Sequence, residues 1–353
     1  MNIAMILPSL ARTGPGIVAM DLCREYVKLG QKCKVFYFDD IVGLDMPCET
    51  ERIKFRQPID FDKWDIIHSH MFRPDAYIWY HKRKIKKAKT LTTLHNPITY
   101  KATRTGFNVP VSFFLSQIWN LCIKAQDWIV CLNKITQSEL PQKIKSRSSV
   151  IFNGRNILTD SNNSSYKFKQ IQSICSEYKI IGTISSITRR KGLSQAIRAL
   201  PFLPDYALLI VGEGPERQIL ERLAKDLNVD QRVVFVGFQK NPTEYLPLMD
   251  VFIMCSESEG FPLALIESAA FGRPSVLSNI PILKSIISEQ QGVRFYEINN
   301  IADLSQKIRD VYKQKDLLGC EIQNFYKDCL TSDIMAKNYI KLYEFLLGIK
   351  FEG

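Results

Sequence analysis

The first half of the chain alternates short apolar runs with segments of helical periodicity. An apolar run at 3–7 ends at Pro8, and a helical pattern from Ile17 to Leu29 follows a glycine-containing loop. Further apolar runs predict strands at Lys34–Phe38, Asp65–His68, Thr90–Leu94 and Trp128–Leu132. A second helical pattern follows at Thr136–Leu140. Short buried strands separated by helices are typical of a parallel sheet with helices on both faces.

The second half repeats this plan. Strands are predicted at Ile180–Ile184, Ala207–Val211, Val233–Val236, Val251–Met254 and Ser275–Leu277. Helices are predicted at Leu193–Leu200, Glu216–Leu227, Tyr245–Leu248, Pro262–Phe271 and Ile282–Glu289, with a helical tail at Asp333–Ile349. The polar segment Ser161–Ser165 indicates a domain junction within 151–165. Two doubly wound α/β domains are expected, with ligands outside the carboxyl ends of the strands.

Composition favours a soluble protein of two domains. The chain has 353 residues, of which 46% are hydrophobic and 24% charged. It lacks the run of about 18 uncharged apolar residues that a membrane-spanning helix needs. The opening residues MNIAMILPSL have no basic stretch before the apolar run, which favours a first strand over a secretion signal. We therefore expect a cytoplasmic location.

The cysteines give no sign of a disulfide framework or a zinc site. There are nine, an odd number, and no CxxC pair occurs among them. Reduced thiols in a cytoplasmic protein are the simplest interpretation, and no metal ligand set or cofactor is predicted.

Charge is distributed unevenly between the halves. Residues 1–157 contain 24 Lys and Arg against 13 Asp and Glu, a net of +11, and the remaining 23 basic and 23 acidic residues cancel within 158–353. The excess in the first half indicates an anionic partner there, such as a phosphate-bearing ligand, an anionic lipid surface or nucleic acid.

The most informative segment follows the predicted strand Val251–Met254. A turn containing Glu259 and Gly260 leads into a helix that carries Glu267. Backbone N–H groups at such a helix start can hold an anion. Carboxylates placed there can accept hydrogen bonds from sugar and ribose hydroxyls. Two acidic residues at this spacing also arise by chance, and the spacing alone is therefore a weak signal. Their position at a strand–turn–helix junction is what supports a binding role.

This segment resembles the retaining glycosyltransferase family 4 group. Its EGFxxxxxE-A-xA-xGxPV signature is similar to the run from Glu259, Gly260, Phe261, Pro262 and Leu263 through Glu267 to Pro274. Other motifs of the family resemble Val211–Pro215, Val233–Phe238 with Asp250, Ile151–Gly154 and the tail Asp333–Leu347. The resemblance covers nearly the whole chain and is most specific over 180–280.

The resemblance implies a diphosphate site near Lys191. Lys191-Gly192 is similar to the family's KG element, whose lysine contacts the donor diphosphate. The family has an arginine five residues before this lysine, where this chain has Ser186. Arg189 or Arg190 would then supply the second cation, and Ser186 and Arg190 are placed in the donor site.

Two further features of the family occur in the first half. Gly14 and Gly16 lie in a loop similar to the family's glycine loop, where glycines allow close approach of a phosphate. An ordinary strand–helix turn is the alternative. His95, after its strand, resembles the family's cleft histidine near the sugar; a packed core residue is the alternative. His68 and His70 are interpreted as structural or as acceptor-side residues.

A basic run, His81–Lys89, precedes an aromatic-rich helical segment. That segment contains Phe107, Val109, Val111, Phe113, Phe114, Leu115, Ile118, Trp119 and Leu121. Cationic and apolar side chains together suit the surface of an anionic bilayer. A core helix beside a solvated basic face is the alternative. Peripheral contact with the inner face of the cytoplasmic membrane is therefore an expectation.

The resemblance implies a GT-B fold, in which two Rossmann-like domains face a central cleft. Residues 1–152 with 335–353 would form the acceptor-binding domain, and 153–334 the donor-binding domain. Glu259, Lys191 and His95 would be catalytic, Glu267 would bind the ribose, and Gly237 and Phe238 would frame the base.

The activity implied is a retaining, metal-independent hexosyltransferase of surface polysaccharide assembly. Its donor would be UDP- or GDP-linked, and its acceptor a saccharide, free or lipid-linked; no nucleic acid partner is expected. The alternatives are a GT-B sugar-nucleotide epimerase, an inverting transferase, or a membrane- or nucleic-acid-binding module without transferase activity.

Overall fold

The computed structural model describes residues 1–96, 109–157 and 167–349. Phe107 of the aromatic segment and the polar segment Ser161–Ser165 of the predicted junction lie outside the described residues. The chain divides into two compact units. Unit 1 comprises Met1–Asn156 and Cys329–Gly353, and unit 2 comprises Ile157–Asp328.

Within the described residues, unit 1 contains a seven-stranded sheet in the order β3-β2-β1-β4-β5-β6-β7. Its strands are β1 (Asn2–Leu10), β2 (Lys32–Val42), β3 (Glu49–Arg52), β4 (Ile66–His70), β5 (Lys89–Leu94), β6 (Trp128–Cys131) and β7 (Ser148–Val150). All neighbouring pairs are parallel, with Ile3 opposite both Cys33 and Ile66. Every strand therefore ends at the same edge of the sheet.

The helices of the first part of unit 1 connect these strands. They are α1 (Gly14–Lys28), α2 (Phe72–His81), α3 (Val109–Lys124), α4 (Lys134–Ser138) and α5 (Gln142–Lys145). Thr13 caps α1, its hydroxyl accepting from the amide of Gly16, and Pro15 occupies the first turn, where a missing N–H is tolerated.

The edge strand β3 has no hydrophobic signal in the sequence. All four residues, Glu49–Arg52, are polar and exposed, and the strand is defined by its pairing with β2. Lys34 of β2 forms ion pairs with Glu49 at 2.6 Å and Glu51 at 2.8 Å. Charged edges of this kind are common because they discourage pairing with another chain.

The described part of unit 2 contains a six-stranded parallel sheet in the order β10-β9-β8-β11-β12-β13. Its strands are β8 (Lys179–Ile184), β9 (Tyr206–Val211), β10 (Val233–Gly237), β11 (Val251–Met254), β12 (Ser275–Ser278) and β13 (Val293–Tyr296). The helices are α6 (Lys167–Glu177), α7 (Ser194–Ala199), α8 (Arg217–Asp226), α9 (Leu263–Ala270), α10 (Pro281–Ile286), α11 (Ile301–Lys313) and α12 (Lys315–Cys329). The core lies between sheet and helices, where Ile181, Leu208 and Ile253 of the strands form one buried hydrophobic cluster with Ile197 and Leu304 of the helices.

One predicted helix of unit 2 is a 3₁₀ segment instead. The pattern at Tyr245–Leu248 predicted an α-helix, whereas Pro242–Leu248 forms a 3₁₀-helix. Pro247 lies inside this segment and has no N–H to donate to an α-helical ladder, which explains the 3₁₀ form.

The chain returns to unit 1 in its last helix, α13 (Ser332–Leu347), which packs against α1. A chain of buried hydrogen bonds fixes it there. Tyr343 Oη lies 2.9 Å from Tyr26 Oη and 2.8 Å from Nδ1 of His68, whose Nε2 lies 2.7 Å from Thr93 Oγ1. Tyr339 Oη lies 2.7 Å from the same threonine hydroxyl. Helices α1 and α13 and strands β4 and β5 are thus joined through polar atoms that are shielded from water.

We predict that His68 makes unit 1 sensitive to acid. Burial lowers its pKa to about 3, whereas an unfolded imidazole titrates near pH 6.5. Between pH 6.5 and pH 3 the His68 ring binds a proton in the unfolded chain but not in the native protein. The free energy of unfolding therefore receives no penalty from His68 above pH 6.5 and decreases as the pH falls from 6.5 toward 3. Between pH 7 and pH 5, His68→Gln should lower the acid-induced loss of unfolding free energy by roughly 2 kcal/mol.

The measurement is urea unfolding followed by tryptophan fluorescence at several pH values. All four tryptophans, Trp64, Trp79, Trp119 and Trp128, lie in unit 1, so the signal reports that unit. Tyr343→Phe is the control, because it removes a hydrogen bond without removing the titrating ring. It should be less stable at every pH, by about 1–3 kcal/mol, with the wild-type pH slope. An unchanged slope in His68→Gln would contradict the prediction.

Candidate functional site

In unit 2 the predicted donor-site segments follow four neighbouring strands. In the sheet order β10-β9-β8-β11, the segment with Ser186 and Lys191 follows β8, the Gly212–Gly214 turn follows β9, and Phe238 follows β10. The segment with Glu259 follows β11. Because the strands are parallel, these four segments emerge at one edge of the sheet, where open α/β sheets bind ligands.

A buried ion pair joins two of these segments. Lys191 Nζ lies 2.6 Å from Glu259 Oε1, and Arg190 Nη1 lies 3.6 Å from Glu259 Oε2. The Glu259 side chain is only 6% exposed, and that of Arg190 is 43% exposed. Arg190 also donates to the carbonyl of Ser258. Two cations therefore share one carboxylate, which leaves a positive charge beside a sheltered carboxylate.

A glycine and a buried glutamine hold the lysine segment against the strand β11. Gly192 has φ of +59°, and a Cβ there would lie 2.2 Å from the carbonyl oxygen of Cys255. Gln195 Nε2 donates to that carbonyl at 3.1 Å, while its Oε1 accepts from Tyr296 Oη at 3.1 Å and from the amide of Asn299 at 2.8 Å. Gln195 was not predicted from the sequence as a site residue. It could have been noticed as an amide side chain on the apolar face of the helix that follows Lys191-Gly192.

The turn after β9 requires its glycines. Gly212 has φ of +144°, and Cβ atoms at Gly212 and Gly214 would lie 1.9 and 2.3 Å from the carbonyl oxygens of Ser185 and Ile187. The turn thus lies directly against the segment that contains Ser186, whose side chain is exposed. This close backbone approach gives a physical reason for both glycines of the motif.

The segment after β11 ends at the N-terminus of α9. Pro262 is the N-cap residue, with no side-chain cap hydrogen bond, and Leu263 is the first residue of the helix. Phe261 is buried, and Gly260 is half-buried beside it. One turn into α9, Glu267 is 7% exposed. The first amides of a helix lack partners within the helix and carry partial positive charge, so this end favours an anion.

Gly237 is the last residue of β10, and Phe238 follows it. Gly237 has φ of +79°, and its carbonyl accepts from the amide of Gly212 at 3.0 Å. Phe238 is 75% exposed, which is unusual for a large aromatic side chain. Arg217 lies close by and forms an ion pair with Glu213 at 2.7 Å.

In unit 1 the predicted residues follow three neighbouring strands, β1, β4 and β5. Gly14 and Gly16 begin α1 after β1, His70 ends β4, and His95 follows β5. A Cβ at Gly16 would lie 2.6 Å from the carbonyl oxygen of Ala11, so the tight turn requires glycine there. Gly14 is exposed.

His95 is held by a second histidine. His70 Nδ1 lies 2.8 Å from His95 Nε2. Burial lowers the pKa of His95 to about 3 and that of His70 well below its usual value. Both rings are therefore neutral near pH 7, and each offers one donor and one acceptor. Among the described residues, His70 Nε2 is a buried atom without a hydrogen-bond partner. His68, in contrast, belongs to the core network with α13.

Each unit contains a cavity lined by described residues. The cavity in unit 1 has a volume of about 600 Å³ and is lined by Phe38, Arg52, Ile53, Lys54, Phe55, Gln57 and Arg73. It lies beside the residues where β2 and β3 end and α2 begins. A cavity of about 360 Å³ in unit 2 is lined by Asp250, Arg273 and Lys315, where β11 and β12 begin, which is the opposite edge from Lys191 and Glu259.

The described residues offer one cluster of three groups with metal-ligating atoms close together. It consists of Cys23, Cys33 and Cys48 in unit 1, which are far apart in sequence and gave no metal-binding pattern. It includes none of the residues that the sequence assigned to a site.

Comparison with known proteins agrees with this architecture. The sequence model of the family described as "Glycosyl transferases group 1" matches residues 165–327. The chain is similar to the O-antigen biosynthesis glycosyltransferase WclY of Escherichia coli, with 26% identity covering 97% of this chain and 98% of that protein. It is also similar to N-acetyl-alpha-D-glucosaminyl L-malate synthase of Bacillus anthracis, with 24% identity over 79% of this chain and 74% of that enzyme.

Solved structures share the fold at low identity. Sucrose-phosphate synthase from Thermosynechococcus elongatus has a TM-score of 0.79 and 17% identity, covering 99% of this chain and 100% of that chain. HepE of Anabaena in complex with UDP and glucose has a TM-score of 0.78 and 16% identity, covering 97% and 99%. The group 1 match in unit 2 and the glycosyltransferase relatives support a glycosyltransferase, and the two parallel sheets and the solved structures show that its fold is GT-B.

Proposed function

We propose that the protein is a retaining, metal-independent hexosyltransferase that takes its sugar from a nucleotide-linked donor bound by unit 2. The observation that carries this proposal is the buried Lys191–Glu259 pair with Arg190 beside it, at the edge where four strands end. Lys191 and Arg190 carry two positive charges against the single negative charge of Glu259, so a net positive charge remains that can bind a diphosphate. A sheltered carboxylate is suited to orienting sugar hydroxyls.

Each residue of this edge has a proposed task. Lys191, Arg190 and the first amides of α9 stabilise the charge that grows on the departing diphosphate, and Ser186, in the same segment as Lys191, is assigned to this site. Such preorganised donors are often the largest catalytic contribution. Glu267 accepts hydrogen bonds from the ribose, and Glu259 orients the sugar. The acceptor oxygen attacks the anomeric carbon from the side of the leaving group, so the configuration is retained.

The base and the sugar end of the donor are assigned to further residues. The exposed ring of Phe238, after Gly237, offers an aromatic surface for the base. UDP is the first nucleotide to test, because HepE, which shares the fold, is described in complex with UDP; GDP is the second. In unit 1, neutral His95 is proposed to hydrogen-bond a sugar hydroxyl, and the loop of Gly14 and Gly16 to approach a phosphate.

The acceptor is proposed to be a saccharide bound by unit 1. The cavity of about 600 Å³ combines aromatic rings of Phe38 and Phe55 with the cations of Arg52 and Arg73. Aromatic faces and charged groups of this kind recognise sugars and phosphates respectively. The relatives include proteins named for O-antigen and lipopolysaccharide core biosynthesis, so we place this reaction in surface polysaccharide assembly, with a lipid-linked acceptor.

Peripheral membrane contact completes the proposal. Helices α2 and α3 of unit 1 pack together, and they expose Trp79, Val111, Phe113, Phe114 and Leu121. The turn after α2 exposes Arg83, Lys84, Lys86 and Lys87. Among the described residues no helix is long and apolar enough to cross a bilayer. Apolar and cationic groups on adjoining elements support attachment to an anionic bilayer surface.

We predict that Glu267→Gln weakens nucleotide binding and abolishes transfer. Loss of a charge-assisted hydrogen bond to the ribose should weaken UDP or GDP binding by about tenfold or more. Isothermal calorimetry measures binding, and release of nucleotide from UDP-sugars measures turnover. Glu257→Gln, which changes an exposed carboxylate in the segment between β11 and α9, is the control and should match wild type. Unimpaired turnover in Glu267→Gln would overturn the ribose assignment.

We predict that Lys191→Ala lowers affinity for a nucleoside diphosphate much more than for the nucleoside. The lysine is assigned to the diphosphate, so about a tenfold or greater loss should appear only when phosphates are present. Lys179→Ala, at the opposite end of β8, serves as the control. EDTA should leave binding and turnover of the wild type unchanged. Equal losses for nucleoside and diphosphate, or inactivation by EDTA, would argue against the assigned mechanism.

We predict that the Phe113→Ser/Phe114→Ser variant loses attachment to anionic vesicles. These rings are 56% and 65% exposed, so their replacement removes apolar surface without disturbing the core. Flotation with phosphatidylglycerol vesicles should recover the wild type and Phe202→Ser, a control with an exposed ring in unit 2, but not the double variant. Wild-type protein that remains unbound to these vesicles would disprove membrane contact.

A further inference from the structure

Three cysteine side chains from separate elements of unit 1 meet at one point. Cys23 lies in the middle of α1, Cys33 is the second residue of β2, and Cys48 directly precedes β3. Their Sγ atoms all lie within 4.8 Å of one another, and Cys33 Sγ is 3.5 Å from Cys23 Sγ. The fold brings them together because α1 lies beside β2 and β3 pairs with β2.

The sulfur spacing fits a single metal ion at the centre. A zinc–sulfur bond is about 2.3 Å, so two ligating sulfurs lie roughly 3.8 Å apart in a tetrahedral site and roughly 4.0 Å apart in a trigonal site. The observed separations, 3.5 Å for one pair and none above 4.8 Å, bracket these values. A disulfide would require one pair to close to about 2.05 Å and would leave the third thiol unpaired.

The chemistry of the cluster selects the class of ion. Three sulfur atoms and no oxygen or nitrogen ligand favour thiophilic ions such as Zn²⁺ over Mg²⁺ or Mn²⁺, which prefer oxygen. Among the described residues no fourth His, Cys, Asp or Glu joins the group, so water would complete a tetrahedral shell.

The cluster is reachable from solvent on one side. Cys23 is fully buried, whereas Cys33 and Cys48 are half-buried. An ion could therefore reach the cluster through the half-buried Cys33 and Cys48, and the buried Cys23 would bind it from the protein interior.

We propose that Cys23, Cys33 and Cys48 form a binding site for one thiophilic metal ion, separate from the sugar-transfer residues. The ion would link α1, β2 and the segment that leads to β3. That segment also contains Leu44, whose side chain lies against Gly16 at the start of α1. Binding would therefore stabilise the packing around the glycine loop, and three thiol protons would pass to solvent as the sulfurs coordinate the ion.

The first test is metal binding by the full-length protein, kept reduced with a phosphine. Dialysis against Zn²⁺ followed by elemental analysis should give close to one ion per chain, and Cd²⁺ should give a thiolate charge-transfer absorption. Cys48→Ser should weaken binding by at least about tenfold, because one of three ligands is lost. Cys320→Ser, which replaces an exposed cysteine outside the cluster, should retain it. Equal binding by wild type and Cys48→Ser would overturn the proposal.

A second measurement does not depend on the folding of a variant. Zn²⁺ should slow alkylation of Cys33 and Cys48 in the wild type by at least about tenfold, as followed by peptide mass spectrometry, and leave the rates of Cys175 and Cys320 unchanged. Removal of zinc with a chelator should restore the faster rates. Equal alkylation with and without zinc would refute the site, as would protection that appears only without reductant, which would indicate a disulfide.

Discussion

The geometry of this protein depends on one constraint, the parallel pairing of all strands in both sheets. Parallel strands leave the sheet at the same edge, and their connections must cross back over a face before the next strand begins. In unit 2, Lys191, Gly212, Phe238 and Glu259 are separated by up to 68 positions in sequence, yet each follows one of four adjoining strands. The sheet topology alone thus places residues that are distant in sequence at the same edge.

Close backbone approaches convert this shared edge into a defined site. Gly192 lies against the carbonyl of Cys255, and Gly212 and Gly214 lie against those of Ser185 and Ile187. Any side chain at these positions would displace the neighbouring loop. The result is that Lys191 and Glu259 meet at 2.6 Å in a sheltered position. An ion pair of this kind is weak evidence for stability, because removing two charges from water is costly. Its position at the strand ends is consistent with the proposed role of these residues in binding the donor.

Unit 1 shows a different use of buried polar groups. Tyr26, Tyr343, His68, Thr93 and Tyr339 form a continuous hydrogen-bonded chain that fixes the last helix in place. Satisfied polar groups in a core specify one arrangement, because any shift leaves a donor or acceptor unpaired.

Two histidines separated by one residue in β4 therefore act differently. His68 serves this network, while His70 contacts His95 at the end of the neighbouring strand. The sequence identified both histidines but could not divide these roles, since that division depends on which partner each ring meets.

The fold class could be predicted from the sequence because strand and helix periodicity survive in each unit, and the resemblance to glycosyltransferases named the GT-B architecture that the fold confirms. The strongly apolar strands β1, β8 and β9 were predicted within a few residues. The polar edge strand β3 was not, because its existence depends on pairing with β2 and not on burial. The segment at Tyr245–Leu248 was predicted as an α-helix, but Pro247 makes it a 3₁₀-helix.

The sequence by itself determined which chemical groups follow each strand, because local patterns fix where strands end and turns begin. The tertiary structure alone decided which groups meet. Gln195 became the anchor of the Lys191 segment only through contacts with Cys255, Tyr296 and Asn299. Likewise, Cys23, Cys33 and Cys48 have no recognisable spacing, and only the packing of α1 beside β2 and β3 brings their sulfurs within 4.8 Å. Such contacts depend on sheet order and helix packing, which no local pattern encodes.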